Sequence, residues 1–278
     1  MNGVAKSPLE TREIKPKVGS VILADKDALL SGVHAAEIAD LMERRGVLVF
    51  PKINFTDEEQ LRFTRTLGNI AKENSGEEIF PITLDFSRSE GIKYLLGSFY
   101  WHFDGFSQPM PVRASILCAK ILSPTGGNTE FANCYPAYDD LPEDEKAKLE
   151  GLRVVHSAWN TLLYYHLEPN QAELEAYMSV GEVELPLVWT HRSGRKSLVI
   201  GCSASHVVGM ERKQSALLLN RLREWATSEP FHYSHTWSVG DMVMWDNTGS
   251  LHRATAYDPA CGRELHRTKL EGEEPITA

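Results

Sequence analysis

The chain has 278 residues, of which 42% are hydrophobic, and a formal net charge of −9. This length and composition suffice for a sizeable core, and the acidic excess disfavours nucleic acid and acidic membrane surfaces as partners. No stretch approaches the roughly eighteen consecutive apolar residues of a membrane-spanning helix, and the N-terminus lacks the apolar segment of a signal peptide.

The N-terminal segment predicts an arm followed by a helical layer. Residues 1–18 are polar and contain proline, so we expect a loose arm there. A helix is predicted over 34–46 and a short buried strand over 47–51. A second helix is predicted to open with a capping box at Thr56. We therefore expect residues 19–70 to form a packing layer that carries no chemistry.

From about residue 98 onward the sequence is rich in predicted strands separated by Gly, Pro and Asn turns. The predicted strands are 112–123, 152–159, 184–191, 197–202, 231–247 and 264–272. Helices are predicted over 142–151 and 211–227. Short strands separated by turns are typical of a sandwich or jelly roll. We therefore predict a mainly β fold with flanking helices (α+β), in a single domain over 1–278.

The cysteines favour a reducing compartment. The chain has four of them, widely spaced and without a C-x-x-C pair: Cys118, Cys134, Cys202 and Cys261. This spacing argues against a disulfide framework and against a structural zinc site. We expect free thiols in a cytoplasmic protein.

The segment "WHFDG" at residues 101–105 is a candidate half of a metal site. On an extended strand, the side chains of His102 and Asp104 point to the same face. The pair alone is a weak signal, because His166 and Glu168 form a second pair of the same kind. Either pair could equally be an ordinary hydrogen-bonded histidine at the surface or in a turn.

The best candidate for a third ligand is His252, in the segment "WDNTGSLHRAT". Two imidazoles and one carboxylate on one face of a metal form the facial triad that suits non-haem Fe(II) and oxygen chemistry. Zinc is more often held by four ligands, or by three with one open position. The donor types therefore favour iron.

Two arginines and a threonine could bind acidic groups near such a metal. Arg263 and Arg267 are four residues apart, so they share a face of a strand, and guanidinium groups bind carboxylates bidentately. They could also be exposed and paired with neighbouring carboxylates. The segment "SPTGGNTEFAN" places Thr129 after a tight glycine turn, at the start of a predicted strand.

Taken together and in their order along the chain, these segments resemble the taurine dioxygenase family, which includes the phenoxyalkanoate-herbicide dioxygenases. "YWHFDG" is similar to the family's W-H-x-D motif and "PTGGNTEFAN" to its G-G-x-T-x-F-A-N motif. "WDNTGSLHRAT" and "GRELHRTKLEG" are similar to its distal histidine and arginine segment. The resemblance covers almost the whole chain and implies a double-stranded β-helix, a distorted, cupin-like jelly roll.

The resemblance also implies roles for the candidate residues. Members of the family bind Fe(II) and 2-oxoglutarate, and the implied iron ligands are His102, Asp104 and His252. Thr129 and Arg263 would bind the far carboxylate of 2-oxoglutarate. Arg267 would meet an anionic group of the substrate.

A variable active-site lid is implied at about residues 157–190. The pair formed by His166 and Glu168 falls there, so the resemblance favours the first pair as ligands. Four lid aromatics could line an apolar pocket, or could serve only in packing: Trp159, Tyr164, Tyr165 and Trp189. The segment "NIAKENSGEE" lacks the histidine and tyrosine that taurine dioxygenases have near this point, which argues against taurine as substrate.

The implied activity is hydroxylation of a C–H bond in a small, anionic organic substrate, with consumption of O2 and release of succinate and CO2. Asp104 favours hydroxylation over halogenation, because related halogenases have a small residue at that position. Two alternatives stay open: desaturation, cyclisation or oxidative cleavage at the same site, or a non-catalytic jelly roll that binds a metal or an acid. The expected partners are a small-molecule substrate and a possible second copy of the chain, without nucleic acid or membrane.

Overall fold

The computed structural model describes residues 8–73, 76–85 and 90–278, and only the backbone of residues 90–93. The chain is mainly β with helices. The strands are β1 (Thr11–Glu13), β2 (Ser20–Ile22), β3 (Val47–Phe50), β4 (Phe80–Ile82), β5 (Ala114–Ile121), β6 (Thr129–Asn133), β7 (Arg153–Ser157), β8 (Glu182–Pro186), β9 (Val188–Thr190), β10 (Lys196–Leu198), β11 (Ala204–Val207), β12 (His232–His235), β13 (Met242–Asp246), β14 (Ser250–Ala254) and β15 (Glu264–Leu270). The helices are α1 (Lys26–Ser31), α2 (Ala35–Arg45), α3 (Asp57–Leu67), α4 (Cys134–Asp139), α5 (Glu143–Leu149), α6 (Ala158–Tyr165), α7 (Gln171–Met178) and α8 (Arg212–Ala226), with 3-10 turns at Glu90–Phe99 and Pro259–Cys261.

Two sheets enclose the central part of the molecule. The larger has seven strands in the order β1–β2–β3–β13–β5–β15–β4, and a three-stranded sheet has the order β12–β6–β14. Phe131 of β6 packs against Trp245 of β13 with ring centroids 5.4 Å apart, and both side chains are buried. Apolar contact between the inner faces of the sheets therefore forms a core beside β14, which carries His252.

Smaller sheets and a long helix share a second hydrophobic cluster. Strands β11, β7 and β8 form one sheet, and β10 pairs with β9. The buried side of α8, which includes Leu219 and Leu222, packs into the same hydrophobic cluster as Trp189. Among the described helices, α8 is the longest at 15 residues, and none is long and apolar enough to cross a bilayer.

The helical layer near the N-terminus confirms the local predictions. Helix α2 ends at Arg45, and Gly46 follows it with a φ of 74°. At the start of α3, Thr56 accepts the N–H of Glu59 while the Glu59 carboxylate accepts the N–H of Thr56, so the predicted capping box is present. These predictions are confirmed because the signals at helix ends depend only on residues within one turn of the helix.

The loose arm predicted over 1–18 is wrong for its C-terminal part. Strand β1 pairs antiparallel with β2, and Val18 is buried. The buried guanidinium of Arg45 donates to the carbonyl of Gly19 at 2.9 Å, which fixes the turn between the two strands. Residues 1–7 lie outside the described residues.

Other differences between the predicted and the observed elements have local causes. The strand predicted over 184–191 is divided into β8 and β9, and the one over 231–247 into β12 and β13, with Gly240 at a φ of 87° in the intervening turn. Helices α1, α4, α6 and α7 were not predicted. They have six to eight residues, which is too short for a clear helical period.

Candidate functional site

Two histidines and an aspartate meet where the chain around residue 102 crosses β14. The backbones of His102 and His252 exchange hydrogen bonds of 3.1 and 2.9 Å, which places the two rings side by side. The Nε2 atoms of His102 and His252 lie 4.0 and 3.9 Å from the carboxylate of Asp104. These distances exceed hydrogen-bond lengths, so the three groups face a shared space.

The donor set fits a divalent metal ion. One potential ligand atom from each of the three residues lies within 4.8 Å of the others. His102 Nδ1 donates to the carbonyl of Tyr100 at 2.8 Å, which leaves the Nε2 lone pair free for a metal. Asp104 Oδ2 is buried without a hydrogen-bond partner, and a cation beside it would offset the cost of that burial. Among the usual biological metals, two imidazoles and one carboxylate best suit Fe(II).

Electrostatics keep these side chains in the protonation states that a metal requires. Burial acts to raise the pKa of Asp104, but the interactions with His252, with the guanidinium of Arg267 and with His102 outweigh it and lower the pKa well below its usual value. Burial is the main cause that lowers the pKa of His252 well below 6.5. The site therefore presents a carboxylate and a neutral imidazole, the forms that bind metals.

Asn247 positions the Asp104 segment, a role that sequence analysis did not assign. Its Oδ1 accepts the N–H of Asp104, and its Nδ2 donates to the carbonyls of Asp104 and Val112, each at 2.8 Å. Asp246, next to it, accepts from Thr248 and shapes the turn that leads into β14. The "WDN" tripeptide thus holds the loop that carries one candidate ligand and begins the turn towards another.

Thr129 and Arg263 lie close to this cluster, as their predicted roles require. Both side chains are buried, and both line a cavity of about 60 Å³ that also contacts His102 and His252. The Thr129 hydroxyl accepts a hydrogen bond from the Trp237 indole N–H at 3.0 Å. Its own hydrogen therefore remains available for an acceptor in the cavity.

The glycine pair before Thr129 has a specific structural function. Arg263 Nη2 donates to the carbonyl of Gly127 at 2.9 Å. A Cβ atom at Gly127 would lie 2.9 Å from Arg263 Nε, and a Cβ atom at Gly126 would lie 2.1 Å from the carbonyl oxygen of Ala256. Both glycines have positive φ, 68° and 73°, so the turn both requires glycine and seats the arginine.

A second cavity adjoins the metal-ligand candidates. Its volume is about 230 Å³, and it is lined by His102, Asp104 and Arg267 at one end. Its other walls are largely aromatic or apolar and include Leu95, Phe103, Phe106, Tyr165, Tyr177 and Cys202. This combination of an apolar body and a few polar groups is typical of a small-molecule site.

Arg267 is in an ion-pair cluster that sequence analysis did not foresee. It donates from Nη2 to Glu73 Oε1 at 2.9 Å, and its Nη1 lies 3.8 Å from Asp104 Oδ2. Burial acts to lower the pKa of Arg267, but the carboxylates of Asp104 and Glu73 outweigh it and raise the pKa. Arg267 is therefore a largely buried, permanent cation that lines both cavities.

The remaining candidates lie apart from the cluster. His166 bonds to Glu173 at 3.1 Å and Glu168 is exposed, so the described contacts do not join this pair into a site. Of the four lid aromatics, only Tyr165 is among the residues that line the second cavity. Trp189 is buried in the core, whereas Trp159 donates to Glu182 and Tyr164 packs against Tyr100.

A larger cavity, of about 330 Å³, lies elsewhere, between Tyr135, His191 and the C-terminal residues Glu273 and Glu274. None of the candidate ligands lines it. We therefore take the two smaller cavities, where the metal-ligand candidates meet Arg263 and Arg267, as the candidate functional site.

Comparisons with known proteins point to the same chemistry. The family model described as taurine catabolism dioxygenase TauD, TfdA family matches residues 10–269. The chain is 36% identical over 270 residues to an alpha-ketoglutarate-dependent 2,4-dichlorophenoxyacetate dioxygenase of Burkholderia sp. (strain RASC), covering 89% of this chain and 90% of the relative. It is 32% identical to a (S)-phenoxypropionate/alpha-ketoglutarate-dioxygenase of Sphingobium herbicidovorans, covering 92% of each.

Solved structures share the whole architecture. A crystal structure of AAD-2 in complex with Mn(II) and N-oxalylglycine superimposes with a TM-score of 0.83 and 31% identity, covering 98% of this chain and 100% of that one. Since that protein binds a divalent metal together with an oxalyl compound, the likeness agrees with the donor set described above.

Proposed function

The chain belongs to the TauD, TfdA family and is an Fe(II)- and 2-oxoglutarate-dependent dioxygenase, and we propose that it hydroxylates a small organic acid with an aromatic or apolar body. One observation carries the proposal. A single cavity contacts His102, Asp104 and Arg267 at one end and is lined elsewhere by aromatic side chains. Acids of the phenoxyalkanoate type, on which the named relatives act, match this arrangement.

The cofactor roles proposed for the site follow from its donors. His102, Asp104 and His252 would hold Fe(II), and Thr129 and Arg263 would bind the far carboxylate of 2-oxoglutarate. When bound, the iron and 2-oxoglutarate would supply the oxidation by O2, in which one oxygen atom enters the substrate as a hydroxyl group and the other enters succinate, with release of CO2.

The protein's own contribution is to bind, orient and exclude water. Arg263 is almost fully buried and packs over the ring of Tyr257 with 4.6 Å to its centroid, so its fork is fixed before 2-oxoglutarate arrives. Arg267 would anchor the acidic group of the substrate beside the metal ligands. Phe103 and Phe106 would shield the reacting carbon from water.

We propose that residues 1–278 form one dioxygenase domain, that its two facing sheets form a double-stranded β-helix, and that about 157–190 act as a lid over the second cavity. A cytoplasmic location is supported by the four free cysteines. The acidic net charge supports a small-molecule substrate over nucleic acid or membrane, and self-association into a homo-oligomer is part of the same proposal.

Replacing Arg267 with alanine tests the acid-binding part of the proposal. Removing a buried cation that binds a carboxylate costs several kcal/mol, so we expect the KM for phenoxyacetate to rise by about 30-fold or more. Succinate release at varied phenoxyacetate concentrations measures this. Arg113→Ala is the matched control, because Arg113 pairs with Glu273 beside the other cavity. An unchanged KM in Arg267→Ala would refute anchoring by this residue.

Replacing Trp237 with phenylalanine tests the proposed role of Thr129. The change removes the indole N–H that fixes the threonine hydroxyl but keeps an aromatic ring in the core. Loss of one such hydrogen bond corresponds to a rise of about 2- to 10-fold in the Kd of 2-oxoglutarate. Anaerobic titration of the Fe(II) protein with 2-oxoglutarate measures it. Trp225→Phe, which loses a bond to the carbonyl of Ala137 outside the site, should leave the Kd unchanged.

A further inference from the structure

Strand β15 carries two cations side by side, and one of them, Arg267, lines the second cavity. Arg267 and Lys269 are two residues apart, so their side chains project from the same face of the strand. Thr268, between them, projects from the other face and bonds to the Thr64 hydroxyl at 2.8 Å. The two positive charges therefore lie on the face of β15 from which Arg267 reaches the cavities, whereas the intervening residue faces helix α3.

One carboxylate bridges these two cations. Glu73 accepts from Arg267 through Oε1 and from Lys269 through Oε2, each at 2.9 Å. The side chains of Glu73, Arg267 and Lys269 are only 13, 13 and 11% exposed. This trio of residues carries two positive charges and one negative charge, which leaves one net positive charge. The carboxylate of Asp104, whose Oδ2 lies 3.8 Å from Arg267 Nη1, is counted with the divalent metal that it would hold.

Glu73 is held in this place by its own loop. Its N–H donates to the carbonyl of Glu77, and the N–H of Gly76 donates to the carbonyl of Glu73, both at 2.8 Å. Glu73 lies behind the guanidinium, outside the lining of both cavities, whereas Arg267 lines both. Arg267 Nε is buried without a hydrogen-bond partner, so the arginine retains donor capacity while it is paired with Glu73.

We propose that Glu73 sets the charge of the acid that this pocket accepts, by cancelling one of the two cations so that singly charged head groups are preferred over doubly charged ones. The inference rests on the proposed function, because it concerns the acid that Arg267 binds. It makes Glu73 a specificity-determining residue that acts without touching the substrate.

The physical reason is charge balance in a dry site. A carboxylate, sulfonate or sulfate ester carries one negative charge and neutralises the trio. A phosphonate or phosphate monoester carries two, so it would leave an uncompensated charge in a buried place, close to the Glu73 carboxylate. Like charges that meet in an interface cost several kcal/mol, which favours rejection of the dianion.

The test compares two probes of the same shape that differ in charge: phenoxymethanesulfonate and phenoxymethylphosphonate, at a pH where the phosphonate is doubly ionised. The protein is loaded with Mn(II) and N-oxalylglycine, an unreactive analogue of 2-oxoglutarate, so that binding is measured without turnover. Isothermal titration calorimetry then gives the Kd of each probe, and the ratio of the two Kd values reports charge selection independently of shape.

Three variants change the charge of the trio in steps. In the wild type we expect the sulfonate to bind on the order of tenfold more tightly than the phosphonate. Glu73→Gln gives the trio two net positive charges, and we expect the ratio to shift by about tenfold or more towards the phosphonate. Lys269→Met removes the remaining net charge and should weaken both probes. The double variant Glu73→Gln/Lys269→Met restores one positive charge and should restore the wild-type ratio.

The double variant also separates charge from folding. If Glu73→Gln binds poorly because it is misfolded, the double variant still provides a test. It has the same net charge as the wild-type trio but lacks the two ion pairs that Glu73 makes. A Kd ratio in folded Glu73→Gln equal to that of the wild type, or a double variant that fails to restore the wild-type ratio, would overturn the inference. If neither probe binds the wild type although N-oxalylglycine does, the proposed acid substrate itself is wrong, and the inference fails with it.

Discussion

Replacing His102 with alanine is expected to abolish both iron-dependent 2-oxoglutarate binding and succinate release. The change removes one of three converging donors, and the two that remain, Asp104 and His252, form an incomplete face. The loss should exceed the roughly 10- to 100-fold that removal of a ligand's hydrogen-bond partner costs. The measurement is an anaerobic titration of the Fe(II) protein with 2-oxoglutarate, followed through the visible metal-to-ligand charge-transfer band.

His166→Ala is the matched control for this experiment. His166 belongs to the other histidine–carboxylate pair of the sequence, but its ring bonds to Glu173 in helix α7. It should retain the band and the Kd of 2-oxoglutarate. A normal band in His102→Ala, or a lost band in a folded His166→Ala, would contradict the assignment of the ligands.

The candidate ligands could be predicted from the sequence because each lies in a short segment with a recognisable local pattern. His102 and Asp104 lie two residues apart, and the segment around His252 follows a recognisable strand and turn. The expected extended strand at His102 is present only as an isolated bridge to His252. That single bridge is enough, since it places the two rings 4.1 Å apart between centroids.

The residues that support these ligands could not be predicted from the sequence, because their hydrogen-bond partners are distant along the chain. Asn247 bonds to Asp104 across 143 positions, Trp237 to Thr129 across 108, and Glu73 to Arg267 across 194. The sequence around a polar side chain in a strand or loop contains no periodic pattern that predicts such a distant partner. Only the folded sheet register brings these pairs together.

The segment proposed as a lid, at about residues 157–190, shows a different limit of prediction from sequence. Aromatic residues there could either line a pocket or pack against the core, and the composition of the segment does not distinguish these two roles. Tyr165 lines the cavity and bonds to Tyr177 through their hydroxyls at 2.6 Å, which joins α6 to α7. Trp189 packs in the core instead. The difference depends on the short helices α6 and α7, which carry too few residues for a periodic signal.

Replacing Arg263 with alanine is expected to raise the Kd of 2-oxoglutarate on the order of 100-fold or more, because a carboxylate in a buried site would lose its paired cation. Arg263 is only 3% exposed, so water cannot replace the guanidinium without opening the cavity. The same charge-transfer titration measures the Kd. Arg153→Ala, which removes a surface arginine paired with Glu184, should leave it unchanged.

Arg263→Lys distinguishes charge from geometry at this position. Lysine keeps the positive charge but lacks the planar fork that donates to the carbonyl of Gly127 and could also bind a carboxylate bidentately. If the fork matters, lysine should recover only part of the affinity lost in alanine. Full recovery would mean that charge alone binds the cosubstrate, and the glycine turn would then serve only to connect two strands. No loss in alanine would remove Arg263 from the proposed 2-oxoglutarate site while leaving the three metal ligands untouched.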